Sequence, residues 1–320
     1  MTLEEIMDIK VTTVSKYSQK ISDAPATTIV ITDEQIKARG YQDLKDIFYD
    51  LPGFDVSSNV AGEVRSLIIP RGLTGDNKVL VLQDGQRLNS PTGERFLFGN
   101  NLPINMAKRI EIIYGPASAI YGADAFGAIV NIITKSAKDI DGLTLNANYG
   151  TQNTYSPSIA FGKKIDDFEA VFFGRMFNSD GQKFASDYKE LDVITKYAKN
   201  GFTYAQPIFN YDLYGKLNYK DFSIFFDLNT AKEPNGESEI PNNYMYTKEN
   251  VWGQRLGRIV AQYNTKFIEN KLEGVSTFSN YIYEATPDTN FYIAQELDKD
   301  GVPKTAKAEY KYAYSASQKL

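Results

Sequence analysis

The sequence predicts two successive architectures, an α+β unit over residues 23–138 and an antiparallel transmembrane β-barrel from residue 139 onward. Three observations carry this. Before residue 140, helical periodicity alternates with short apolar strands bounded by Gly and Pro. After Asp141, apolar and polar residues alternate with period two over successive short segments, as in a sheet with one apolar face. The connections there alternate between tight charged turns and long polar loops, as in membrane-spanning barrels.

Composition narrows the function classes. With no Cys there is no disulfide framework or thiolate metal site. With no His, the commonest transition-metal ligand and the Ser-His and Cys-His catalytic pairs are absent. A net charge of −5 speaks against a nucleic-acid surface. The chain is rich in aromatics, with 22 Tyr and 19 Phe, which suits strands that meet membrane interfaces. No apolar run approaches the roughly 20 residues of a spanning helix. The best, Phe126 to Ile133, is interrupted by Gly127 and Asn131. The opening MTLEEIMDIK has neither the basic start nor the apolar core of a signal peptide. Chance carboxylate pairs are guaranteed by 40 acidic residues, yet nothing fixes two at one site. GADAFGA lacks the Lys-Ser/Thr of a phosphate loop. No enzyme, catalytic residue, metal site or cofactor is expected.

Taken in order, Ile9 to Ser15 (IKVTTVS) is a short extended segment rich in β-branched residues. It suits an edge strand, or a strand added to a partner's sheet through main-chain hydrogen bonds. Ala26 to Ile31 reads as a strand. Thr32 then caps a helix, with Gln35 completing a capping box and Gly40 ending it. Tyr41 to Asp50 reads as a second helix with Leu44, Ile47, Phe48 and Leu51 on one face, stopped by Pro52-Gly53. Val56 to Ser66 is polar and contains Gly62, which predicts a loop, and Leu67 to Pro70 predicts a strand. Val79 to Gln83 and Gln86 to Leu88 predict a hairpin around Asp84-Gly85, a type I′ turn signal. Ser90 to Asn101 predicts a loop.

The densest stretch is Arg109 to Lys135, RIEIIYGPASAIYGADAFGAIVNIITK. It reads as a strand to Tyr114, a turn at Gly115-Pro116, a small-residue segment with Gly122 and Gly127, and a strand from Ala128 to Lys135. These residues closely resemble the end of the plug domain of TonB-dependent outer-membrane receptors. Arg109, Glu111, Gly115, Pro116, Ser118, Tyr121, Gly122, Ala125, Gly127, Asn131 and Thr134 fit that family's pattern. Tyr114 stands where the family usually has arginine, and Phe126 where a small residue is common. ITDEQIKARG, followed by a helix and LPGF, resembles the plug's opening.

The resemblance implies a TonB-box-like periplasmic segment over residues 1–22, with the box at Ile9, Lys10, Val11, Thr12, Thr13 and Val14, and a plug domain over 23–138. It implies ligand contacts in the plug's outer loops at Ser57, Ser58, Asn59, Arg65, Thr92, Glu94, Arg95 and Phe96. It also implies plug–barrel contacts through Arg71, Arg109 and Glu111, whose charges would meet barrel residues of opposite sign. The implied partners are TonB, outer-membrane lipid and a small-molecule or metal-chelate ligand, with no nucleic acid. A ferric siderophore stands ahead of cobalamin and haem, and a surface β-barrel adhesin is the alternative of a different class. The implied location is the cell outer membrane.

Residues 139–320 predict a partial transmembrane barrel with eight strands: 142–150, 155–164, 167–178, 210–219, 222–231, 254–267, 271–284 and 308–319. Leu213, Leu217, Ile224, Phe226 and Ile259 fall in the apolar phase of the alternation. Asp212, Lys216, Asp227 and Arg258 fall in the polar phase. Tyr211, Tyr219, Phe267, Tyr281 and Tyr283 near strand ends suit membrane girdles. Tight turns are expected at Lys163 to Asp167, Lys220-Asp221 and Glu269 to Lys271. Long loops are expected at Asp180 to Asn210, Glu233 to Gly253 and Thr286 to Lys307. An eight-stranded barrel is filled by its own side chains, whereas one of ~22 strands has a lumen that holds a plug. At the spacing seen here, ~22 strands would take roughly 500 residues. The fold expected is therefore an α+β plug domain followed by an incomplete antiparallel transmembrane β-barrel, the amino-terminal part of a longer receptor.

Overall fold

The computed structural model describes residues 10–11, 19–20, 27–58, 66–73, 78–90, 98–99, 102, 104–115, 121, 125–181, 207–234, 251–267, 272–286, 290–297, 303–309 and 313–319. The chain divides into two units, residues 1–58 with 66–136, and residues 59–65 with 137–320.

The first unit opens with β1 (Lys10–Val11) and β2 (Gln19–Lys20), paired antiparallel. Next come β3 (Thr28–Thr32), α1 (Asp33–Arg39) and α2 (Leu44–Tyr49). The capping box is present: Gln35 N donates to Thr32 Oγ1 at 3.3 Å, and Thr32 N donates to Gln35 Oε1 at 2.9 Å. Gly40 ends α1 at φ 70°, in the left-handed region that glycine enters without strain. The second helix begins later than expected because Asp43, rather than Tyr41, supplies the cap, accepting from Lys45 N and Asp46 N. Leu44, Ile47 and Phe48 on its inner face are fully buried.

After α2, β4 (Phe54–Ser58) pairs with β5 (Ser66–Pro70). Residues 56–58 were expected to be loop. Their polar serines hide a strand whose partner completes the ladder. Strands β6 (Val79–Gln83) and β7 (Gln86–Arg87) form the expected hairpin, with Asp84 at φ 47° and Gly85 at φ 78°, both positive as a type I′ turn requires. Strands β8 (Ala107–Tyr114) and β9 (Ala128–Thr134) complete a sheet of order β3-β8-β9-β6-β7, in which β6 and β9 run parallel. Leu80, Leu82, Ile113, Ala125 and Ile129 form a buried cluster on this sheet.

In the second unit, a short helix α3 (Ala137–Ile140) leads into a long antiparallel sheet. Its strands are β10 (Gly142–Asn146), β11 (Tyr149–Gly150), β12 (Thr154–Tyr155), β13 (Ser158–Ile165) and β14 (Phe168–Ser179). There follow β15 (Ile208–Tyr219), β16 (Phe222–Pro234), β17 (Val251–Phe267) and β18 (Leu272–Ala285). The last are β19 (Asn290–Leu297), β20 (Pro303–Glu309) and β21 (Ala313–Lys319). Neighbours run β10-β13-β14-β15-β16-β17-β18-β21, without pairing of the two outermost strands.

Three expectations are corrected. The strand 142–150 breaks after Asn146, and its tail pairs with β12 instead. The expected loop from Thr286 to Lys307 contains the hairpin β19–β20, in which Lys and Glu alternate with Phe, Ile and Ala. The expected strand 308–319 is divided between the end of β20 and β21. The turns at Asp166 and Lys220 are as tight as expected, both residues taking φ 51°.

The register sorts this sheet into two faces. Phe161, Phe172, Phe226 and Ile259 share one rung, and Ile159, Leu213, Leu228 and Ile282 the next but one residue along, all on the same face. Phe161, Phe172, Phe226, Ile259, Ile159, Leu213 and Ile282 are exposed. The opposite face carries Arg175, Asp212, Asp227, Arg258 and Gln254, all buried. An exposed apolar face backed by a buried polar one inverts the arrangement of a water-soluble sheet and is that of a barrel in lipid.

Candidate functional site

In the first unit, the residues of the family pattern hold one small tertiary knot. Gly127 N donates to Lys78 O at 2.9 Å, and Gly115 N donates to Gly127 O at 3.1 Å. A Cβ on Gly127 would lie 2.5 Å from Pro70 Cγ and 2.7 Å from Lys78 O, so no other residue fits without backbone movement. Asn131 Oδ1 accepts from Gly85 N at 3.1 Å. Asp84 Oδ1 and Oδ2 accept from Thr134 N at 2.9 Å and Thr134 Oγ1 at 2.6 Å. Asn131 and Thr134 thus clamp the β6–β7 turn onto the end of β9.

Arg109 and Glu111, expected to meet barrel charges, meet one another: Arg109 Nε donates to Glu111 Oε1 at 2.8 Å. Residues i and i+2 on a strand share a face, which makes this pairing local. The Glu111 side chain is completely buried, so the guanidinium neutralises a charge that water cannot reach. Tyr121 packs beside the buried cluster. Burial, and secondarily the Glu111 charge, push its phenol up to about 12.

Tyr114, in the place of the family's arginine, anchors by its ring and hydroxyl. Its Oη donates to Pro52 O at 3.0 Å, and its ring lies 4.9 Å from that of Phe54. Arg71 lies over the same ring, 5.6 Å from its centre, and takes φ 51° with its N–H donating to Gly53 O at 2.7 Å.

Of the expected ligand-contact residues, Ser57 and Ser58 end β4, opposite Leu67 and Ser66. Asn59, Arg65, Thr92, Glu94, Arg95 and Phe96 lie outside the described residues. In the box, Lys10 and Val11 form β1, opposite Lys20 and Gln19, while Ile9, Thr12, Thr13 and Val14 lie outside the described residues. Among the described residues, no group of three or more Asp and Glu side chains could hold a metal ion, and no helix is long and apolar enough to cross a membrane.

In the second unit, sequence reading missed two buried ion pairs. Arg175 Nη1 donates to Asp212 Oδ2 at 3.3 Å, and Arg175 Nε to Ser156 Oγ at 3.3 Å. Asn229 Nδ2 also donates to Asp212. Arg258 Nε donates to both oxygens of Asp227 at 3.0 Å, and its Nη2 bonds the same carboxylate. Each pair joins residues opposite one another in register, Arg175 with Asp212 and Asp227 with Arg258. Their phase in the alternation was visible in the sequence, but pairing them needs the register.

A sheet with an apolar exposed face, following an α+β unit knotted around Gly127, defines a plug-and-barrel protein of the outer membrane. Residues 20–129 match the family model of the TonB-dependent receptor plug domain. The vitamin B12 transporter BtuB of Vibrio vulnificus is 31% identical over 144 residues, spanning 45% of this chain and 23% of that protein. The ferripyoverdine receptor of the outer membrane of Pseudomonas aeruginosa superposes with a TM-score of 0.69 at 14% identity, over 96% of this chain and 41% of that one. The ferric enterobactin receptor PfeA of the same organism gives a TM-score of 0.60 at 19% identity, over 90% of this chain and 45% of that one. The chain belongs to the TonB-dependent outer-membrane receptors. It spans under a quarter of the B12 transporter's length and under half of either solved receptor's.

Proposed function

We propose that the chain is the plug and a set of barrel strands of a receptor that takes up a scarce metal chelate across the outer membrane, energised by TonB, and that the chelate is a ferric siderophore. The observation that carries this is the joining, in one chain, of the Gly127-centred plug knot to a sheet that is apolar where exposed and polar where buried. No bond is broken in such a process. Differential affinity of the ligand for the closed and the pulled states does the work. Ile9 to Val14 offers the strand that TonB grips by main-chain pairing. Ser57, Ser58, Asn59, Arg65, Thr92, Glu94, Arg95 and Phe96 contribute the plug's ligand contacts, and Arg71, Arg109 and Glu111 keep the plug seated. The relatives are transporters and receptors, which agrees with a role without catalysis.

One observation favours a second ligand. The relative above 30% identity is a vitamin B12 transporter, whereas the siderophore receptors, under 25% identical, speak for the fold. Uptake of radioiron siderophores and radiocobalt cobalamin by cells carrying the full-length receptor separates the two. Ferric chelates are expected to accumulate only when TonB is present. Val11→Pro, which removes a main-chain donor from the box, should abolish accumulation while surface binding persists. Uptake of cobalamin alone replaces the first reading with the second. Accumulation of neither solute by cells that still adhere to surfaces through the protein returns it to the adhesins.

A further inference from the structure

On the exposed face of β16, β17 and β18, successive rungs read Ile224–Ala261–Phe278, Phe226–Ile259–Asn280 and Leu228–Gly257–Ile282. The next rung on the same face is Thr230–Arg255–Glu284. Charge returns there abruptly. Tyr263, in the aromatic rung beside the tight turns, stands eight residues from Arg255 on the same strand. That is roughly 27 Å along the strand, or roughly 20 Å along the membrane normal once the barrel tilt is allowed for. Against an apolar band of about 25 Å, Arg255 falls at the headgroup boundary on the side of the long connections.

Arg255 sits in a notch. Its same-face neighbours along β17 are Gly253 and Gly257, neither of which has a side chain to fill the space beside it. A Cβ at Gly257 would meet nothing closer than Leu228 at 3.9 Å. Glu284 engages Arg255 through one oxygen, Oε1, which accepts from Nε at 2.5 Å and also from Nη2. Nη1 makes no hydrogen bond among the described residues, so the outer end of the guanidinium fork is open. Thr230, opposite Arg255, is only 2% exposed, yet its Oγ1 has no hydrogen-bond partner among the described residues. A buried hydroxyl left idle beside a guanidinium with spare donors points to a missing acceptor. Lys232 lies one rung further out, opposite Gly253, and leaves the notch with one net positive charge.

We propose that Arg255 and Thr230, supported by Lys232, bind the phosphate of a phosphorylated lipid whose acyl chains lie along Leu228, Ile282 and the apolar rungs below. A phosphate oxygen accepts from Arg255 Nη1 and another from the Thr230 hydroxyl, while Glu284 fixes the guanidinium plane. The site rests on the membrane-spanning reading of this sheet and is independent of which solute is transported.

The full-length receptor, reconstituted in phosphatidylcholine vesicles with or without a glucosamine glycolipid bearing phosphomonoesters, tests this. Lipid retained after detergent extraction is read by native mass spectrometry. The phosphorylated glycolipid should be retained by the wild type, about ten-fold less by Arg255→Gln and about three-fold less by Thr230→Val. Glu284→Gln, which frees more of the fork, should retain more. Equal retention by wild type and Arg255→Gln, or equal retention of the dephosphorylated glycolipid, overturns the proposal. So does displacement by inorganic phosphate, which would make the notch a site for the free anion. Heat-modifiable gel mobility reports whether each variant still forms a barrel. Should Arg255→Gln lose it, Glu284→Gln decides alone, since unchanged retention there also counts against the site. Absence of heat-modifiable mobility in the wild type would instead sink the membrane reading itself.

Discussion

Gly127→Ala must displace either the Pro70 ring or the backbone at Lys78. It is expected to destabilise the plug unit by about 1–3 kcal/mol, read as a lowered denaturation midpoint. Arg109→Ala leaves the buried Glu111 carboxylate without its partner and is expected to cost about 3–5 kcal/mol, with the plug becoming protease-sensitive. Arg109→Ala combined with Glu111→Gln should recover part of that loss, since no charge is then stranded. Tyr121 sets a pH limit. A phenol raised in the folded state stabilises below its ordinary value of about 10 and loses that contribution as pH rises through about 12. Wild type should therefore lose stability over that range more steeply than Tyr121→Phe, as followed by thermal midpoints.

At the level of strands, the two faces of the long sheet make opposite demands. Leu213→Lys on the exposed apolar face should cost about 2–4 kcal/mol if that rung lies near the bilayer midplane, seen as lost heat-modifiable mobility or a lower urea midpoint in lipid. On the buried face, Arg258→Ala should be worse than Arg258→Ala with Asp227→Ala, because only the single change strands the carboxylate. Much of this was legible in advance. Period-two alternation placed Leu213 and Asp227 on opposite faces before any pairing was known, and the cap at Thr32 and the turn at Asp84-Gly85 announced themselves within four residues. What could not be read was set by distant partners. The strand Phe54–Ser58 exists because Ser66–Pro70 lies beside it, and its polar composition alone resembles a loop. The β19–β20 hairpin hid in a charged stretch for the same reason. The Arg175–Asp212 pair bridges 37 positions in sequence, so only the register reveals it. Helix α2 was misplaced at its start because Asp43, an equally good cap, competes with the residues before it.

For the whole molecule, the plug signature proved the more informative part of the sequence. Eleven pattern residues named the family, whereas the barrel strands alone fit several classes of membrane β protein. The structure explains why some of those residues recur together: Asn131 and Thr134 tie down a turn 46 to 50 positions away, and Gly127 makes room for Pro70. Proline at Val11 is expected to uncouple transport from binding because the box acts through its backbone, a property of the complete receptor in its membrane. The identity of the solute belongs to that same scale, since it depends on loops and strands contributed together.

From β13 to β18 every strand bonds to the one that follows it in the chain. Each added strand therefore closes only a short loop or a single long excursion, and its register is dictated by the strand already laid down. Such a meander can be assembled progressively, hairpin by hairpin, with the left-handed turns at Asp166 and Lys220 acting as the starting folds. Replacing Asp166 by valine, which resists that backbone conformation, should delay insertion into lipid vesicles more than it weakens the finished wall, a difference that time-resolved appearance of the compact gel form would register.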